Sequence, residues 1–169
     1  MAKPDFSPDP AAGPDRRGGM IRALQQMLFA DRLARAGIRR MHAAASDAGL
    51  VTALENAVCG VGEGIETVER VLGDLGSDRD GRHCPAMEGL VACADHEIAR
   101  DYQNDAARDT ALALAFHRIT HFGLASYEAL AHEARAVGEE NAADTLQTCL
   151  DNAKDGEKEL VEWLEKRAK

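Results

Sequence analysis

The sequence predicts an all-α fold: a four-helix bundle with a short extra helix in the crossover between the second and third long helices. Three observations carry this. Beyond residue 20 apolar residues recur every three or four positions, the spacing that lines one side of a helix. No segment shows the two-residue alternation of a half-buried strand, so strands do not compete. Residues that start and stop helices bracket each periodic run.

The first nineteen residues, MAKPDFSPDPAAGPDRRGG, hold four of the five prolines and almost no apolar side chain. That composition fits a disordered arm rather than a packed element, and places the start of the folded domain, 20–169, near Met20. The first long helix carries Ile21, Leu24, Leu28, Ala34, Ile38 and Met41 on its apolar side and stops between Ser46 and Gly49. A second follows through Leu50, Leu54, Val58, Val61, Ile65, Val68, Leu72 and Leu75, a seam with the regularity of a coiled coil, closed by Gly76. Residues 76–83 are polar and glycine-containing and read as a loop. Cys84-Pro85 then opens the short helix, because proline suits a first helical turn, and it runs to about Arg100. Asn104 or Asp105 caps the third long helix, with Leu112, Phe116, Ile119, Phe122 and Leu130, which stops at Gly138. The last helix holds Leu146, Leu150, Leu160 and Leu164. The acidic pair Glu139-Glu140 suits its start, and the mixed charges from Glu157 to Glu165 suit a solvated face. Trp163 is expected to pack beside Leu160 and Leu164, in the core or at a dimer contact.

Composition bounds the function. A chain of 169 residues with 45% hydrophobic content fills one domain with an ordinary core. Its 29 acidic against 20 basic residues give a net charge of −9, a field that repels phosphate backbones and anionic lipid surfaces. Nucleic acid and membranes are therefore excluded as expected partners. Cys59, Cys84, Cys93 and Cys149 form no CxxC pair, no apolar secretory segment precedes them, and no run reaches membrane-spanning length. The expected setting is a reducing cytoplasm.

Three stretches are distinctive together. They are Cys84-Pro85-Ala86-Met87-Glu88-Gly89-Leu90, the run containing His121-Phe122 and Ala125-Ser126-Tyr127, and Leu146-Gln147 with Leu150-Asp151. With them the chain resembles, over about residues 20–165, the YciE/YciF-type ferritin-like family, usually described as stress-associated. The resemblance implies a ferritin-like antiparallel bundle, commonly a homodimer, with inward carboxylates and histidines for a two-metal centre.

Carried onto this chain residue by residue, most of that implied ligand set is missing. The first-helix glutamate falls on Asp31, a carboxylate on a shorter arm. The second-helix histidine and glutamate fall on Ala57 and Gly60, the third-helix glutamates on Thr120 and Gly123, and the fourth-helix glutamates on Asn152 and Ala153. Glu88 and His121 match the family pattern. Iron or manganese centres in such bundles take about four carboxylates and two histidines, since hard cations need several negative oxygens in place of water. One aspartate does not supply them.

On a helical wheel His121 lies opposite Ile119, Gly123 and Leu130, and so away from the bundle axis. It shares a side with His117, Glu128 and His132, interrupted by Leu114, Leu124 and Ala125, which suggests cover by the short helix or a partner subunit. His117 and His121, four residues apart, can grip a transition metal at the surface or simply belong to a solvated stripe. His121 and Glu88 are candidates for a structural hydrogen bond across that cover. Asp31 shares its spacing with Leu24, Leu28 and Ile38 and has Arg35 one turn on. It is either a surface ion pair or a buried carboxylate in need of a donor or a proton. His42 reads as a core-edge residue.

Ala53, Ala57, Gly60 and Gly64 form a smooth strip on the second helix, at a cost of roughly 1 kcal/mol for each glycine relative to alanine. A neighbouring helix approaches closely there, or a cavity admits a small apolar molecule. Cys84, Cys93 and His96 show no recognised zinc spacing, although a thiol at a helix start can be somewhat acidic and peroxide-sensitive. These observations lead to a stress-associated structural or interaction protein that is not an enzyme, forms a homodimer and needs no cofactor. Two alternatives stand beside it. One is a residual iron or manganese site at Asp31, Glu88 and His121, for storage or oxidase chemistry; the other is an apolar ligand carrier using the Ala57, Gly60 and Gly123 layer.

Overall fold

The computed structural model describes residues 15–167. The elements in order are α1 (Arg16–Ala44), α2 (Ala48–Asp74), α3 (Pro85–Ala99), α4 (Asp105–Ala136) and α5 (Glu140–Arg167), with no strand among the described residues. The four long helices pack α1 on α2, α4 on α5 and α2 on α5, and the short α3 lies in the crossover against α1 and α4. No helix among the described residues is long and apolar enough to cross a membrane.

Each boundary has a local cause. Most of the expected arm lies outside the described residues, but α1 begins at Arg16, ahead of the expected Met20. Asp15 caps it by accepting from the Gly18 amide at 2.7 Å, and Arg16 and Arg17 reach Glu133 and Glu139, each at 2.6 Å. These contacts, from the end of α4 and the turn after it, hold a turn that contains two glycines. Asp47 caps α2 through the Gly49 and Leu50 amides, and Asn104 caps α4 through Ala107. Gly76 and Gly138 follow α2 and α4 at φ of 72° and 81°, the left-handed conformation that suits glycine. The bonds Ser77 N–H to Leu72 and Glu139 N–H to Ala134, both 2.9 Å, complete two Schellman closures.

Two buried polar side chains fasten the connections. Asp109 of α4 accepts from the Ser46 and Asp47 amides at 3.0 and 2.8 Å, so the turn between α1 and α2 is pinned from across the bundle. Gln25 of α1 donates to Asp78 at 2.6 Å and accepts from Arg82 Nε at 2.7 Å, binding the loop before α3 to the first helix. Both satisfy backbone or side-chain groups that would otherwise be costly to bury.

The apolar core divides into two clusters. One gathers Ala34, Ile38, Met41, Leu50, Leu54, Leu112, Phe116 and Leu160. The other gathers Leu24, Leu28, Val68, Leu72, Tyr127, Leu130 and Leu146. The α2 seam reflects this division: Leu50 and Leu54 near one end and Val68 and Leu72 near the other are buried, whereas Val58, Val61 and Ile65 in the middle are only half-buried. Asp31 sits on α1 between the residues that feed the two clusters.

Candidate functional site

Asp31 is buried, and its Oδ2 accepts a 2.7 Å hydrogen bond from the Tyr127 hydroxyl of α4. Burial lifts its carboxyl to about 7, against a partly opposing effect of that hydrogen bond. Tyr127 is held well above its ordinary value, first by burial and then by the neighbouring charge. Cys149 of α5 lies close enough for Asp31 to raise its thiol, which burial and that charge together take to about 11. Asp31 therefore meets a hydroxyl, with a shielded thiol nearby. Arg35 turns instead to the Val58 carbonyl of α2, at 3.2 Å.

The glycines of α2 explain how this fits. A Cβ on Gly64 would stand 2.9 Å from the Tyr127 hydroxyl oxygen and 4.0 Å from Asp31 Oδ2. A Cβ on Gly62 would stand 2.9 Å from an Arg35 guanidinium nitrogen. The strip is thus filled at Gly64 by Tyr127 from α4, and Arg35 from α1 fills the space at Gly62 beside it. Gly60 behaves differently: it is exposed, and nothing lies within 4 Å of the Cβ it lacks. Gly123 is half-buried with the same open space; Ala57 and Ala153 are half-buried, and Asn152 is exposed. Thr120 is half-buried and spends its hydroxyl on the Phe116 carbonyl at 3.1 Å. A groove of about 620 Å³ between α1 and α4 is lined by Met20, Met27, Phe122 and Leu130 among others, and by none of these six residues.

The other two expected ligands are elsewhere. Glu88 is exposed on α3 and pairs with His83 at 2.8 Å. His121 is also exposed, and its Nε2 lies 2.5 Å from Glu157 Oε1 on α5. The expected contact between His121 and Glu88 is thus corrected, because α5 rather than α3 covers this part of α4. Asp31, Glu88 and His121 do not converge, and the inner layer presents one carboxylate already bonded to a phenol. A two-metal centre does not fit that donor set.

His117 and His121 do come together, with ring centroids 4.3 Å apart in an edge-to-face arrangement. Each, with Glu157, offers a donor atom within 4.8 Å of the others'. Sequence spacing pointed to the two histidines; Glu157, 36 positions further on, carried no signal because its neighbours Asp155, Lys158 and Glu159 read equally as a solvated face.

The family described as "Domain of unknown function (DUF892)" matches residues 19–169. The chain belongs to this DUF892 family. As a DUF892 protein it is 38% identical over 71 residues to Protein YciF of Escherichia coli (strain K12), a match spanning 42% of either chain. The solved structure of the E. coli stress protein YciF superposes on the DUF892 chain with a TM-score of 0.84 at 24% identity, covering 89% of this chain and 95% of that one. YcfI of Rhodopseudomonas palustris, whose assignment as a structural protein is provisional, gives 0.83 at 20% identity over 90% and 96%. At these identities the two structures establish the shared helical fold.

Proposed function

We propose that this DUF892 chain is a non-catalytic, stress-associated, ferritin-like bundle that works as a cytoplasmic homodimer through its surface. The observation that carries this reading is the Tyr127–Asp31 hydrogen bond. The remaining inner carboxylate is engaged by a phenol seated over Gly64, in a layer where the resemblance would place metal ligands. A buried acid with one neutral donor and a carboxyl raised to about 7 is a poor start for a hard-cation site, which needs several ionised oxygens. The net charge of −9 supports a protein partner rather than nucleic acid, and the free thiols fit a reducing compartment. The stress association follows what is said of E. coli YciF.

The test is elemental analysis of the full chain after incubation with ferrous iron or manganese and desalting, alongside dioxygen uptake on ferrous addition. The expected result is no iron or manganese whose retention depends on Asp31, and a flat oxygen trace. Two ions per chain, lost in Asp31→Asn, would overturn the reading. Light scattering at micromolar concentration checks the homodimer, with a monomer mass as the contrary result.

A further inference from the structure

We propose that His117, His121 and Glu157 form a mononuclear site for a divalent transition metal, zinc in the first instance, that ties α4 to α5. Histidines four apart on a helix stand one above the other, so both imidazoles can address one ion. The two rings here are already in contact, and Glu157 brings an oxygen from the neighbouring helix to 2.5 Å from His121 Nε2. The three donor atoms lie within 4.8 Å of one another, whereas ligands on a tetrahedron of about 2 Å radius stand a little over 3 Å apart. Small side-chain rotations close the difference.

A second observation points the same way. The Nδ1 atom of His117 is buried and has no hydrogen-bond partner. A buried imidazole nitrogen left without a partner is the kind of group that a bound ion satisfies. Two nitrogens and one oxygen match borderline divalent ions better than magnesium or calcium, which take all-oxygen sets. With 53% of the His121 side chain exposed, an ion can enter directly, and water completes its coordination. On binding, zinc replaces the direct contact between His121 and Glu157. The surrounding net charge of −9 favours cation capture.

This site is independent of the inner layer and of the proposed function. Zinc titrated into the chelator-treated full chain is expected to give one saturable site per chain. His117→Ala should weaken it at least tenfold and Glu157→Gln several-fold, while His132→Ala and Asp31→Asn leave it unchanged. Cobalt in place of zinc should develop visible d–d absorption that His117→Ala abolishes, and saturating zinc should raise the melting temperature of the wild type but not of His117→Ala. Circular dichroism at the titration temperature establishes that each variant is folded, and His117→Gln serves if the alanine variant is not. Absence of saturable binding, or binding unaltered by both His117 and Glu157 substitutions, would overturn the proposal.

Discussion

The Tyr127 hydroxyl donates to Asp31 Oδ2 at 2.7 Å, across the boundary where the two halves of the apolar core meet. Among the described residues Tyr127 is the side chain that donates to Asp31, and with Asp31 buried its removal takes a hydrogen bond from a buried acceptor. Tyr127→Phe is therefore expected to destabilise the fold by about 1–3 kcal/mol. Because an ionised carboxylate suffers more from losing a donor than a protonated one, the loss should be greater at pH 8 than at pH 5. Urea denaturation at both pH values measures it. Equal losses at the two pH values would show that the hydroxyl does not serve the charge of Asp31.

Asp31 also gives stability a pH dependence of unusual sign for a carboxylate. Its ordinary value is 3.8 and its folded value is about 7, so between these the folded chain keeps a proton that the unfolded chain has lost. The stabilisation associated with that proton is complete below about pH 4 and is lost as pH rises through 7. The interval from 3.8 to about 7 sets a ceiling of about 4 kcal/mol. Asp31→Asn keeps an acceptor for Tyr127 and removes the charge. It should stabilise the protein at pH 8 by roughly 1–3 kcal/mol and do much less at pH 4. Denaturation midpoints across pH 4–8 check this, and a variant parallel to wild type throughout would refute it.

The small residues of the layer should divide by what occupies the space beside them. At Gly60 and Gly123 a new methyl meets nothing within 4 Å, so alanine should stabilise each helix by roughly 0.5–1 kcal/mol through reduced backbone entropy. At Gly64 the same methyl would stand 2.9 Å from the Tyr127 hydroxyl. Here displacement of Tyr127 should outweigh the gain in helix propensity, for a net loss of about 1–2 kcal/mol. Thermal melts of the three alanine variants distinguish the positions. A gain at Gly64 equal to that at Gly60 would show that Tyr127 moves without cost.

These contrasts also mark how much the sequence could say. Helix number, order and several ends were legible because Pro85, Asn104, Gly76 and Gly138 act locally, within one turn of the boundaries they set. The stop expected between Ser46 and Gly49 falls instead at Ala44, with Asp47 the cap of α2 and Gly49 inside it. The start of α1 was not legible either, since Arg16 and Arg17 are held by Glu133 and Glu139, more than a hundred residues away. Asp31 was legible only as either a surface ion pair or a buried carboxylate needing a donor, and not as the partner of Tyr127, because periodicity assigns a helix face without saying which side chain crosses to it. For the same reason Gly60 and Gly64 looked alike in one strip, though one faces open space and the other a phenol. Trp163 was expected among leucines, yet its indole N–H also donates to Asp47 Oδ1 at 2.7 Å, joining the last helix to the cap of α2.

The same layer should make Cys149 the slow thiol among those with access to solvent. Burial and the nearby Asp31 charge raise it to about 11, so at pH 8 only about one molecule in a thousand carries the reactive thiolate. Cys59 and Cys93 are exposed, whereas Cys84 is buried and limited by access. Iodoacetamide followed by peptide mass analysis should label Cys59 and Cys93 first and Cys149 far later. Asp31→Asn removes the charge but leaves the burial, which is the larger cause, so labelling of Cys149 should quicken only several-fold at pH 9 while Cys59 and Cys93 keep their rates. An unchanged Cys149 rate would mean that Asp31 stays protonated beside the thiol even at that pH. Labelling of wild-type Cys149 as fast as Cys59 would mean instead that the packing of α5 over Tyr127 opens readily.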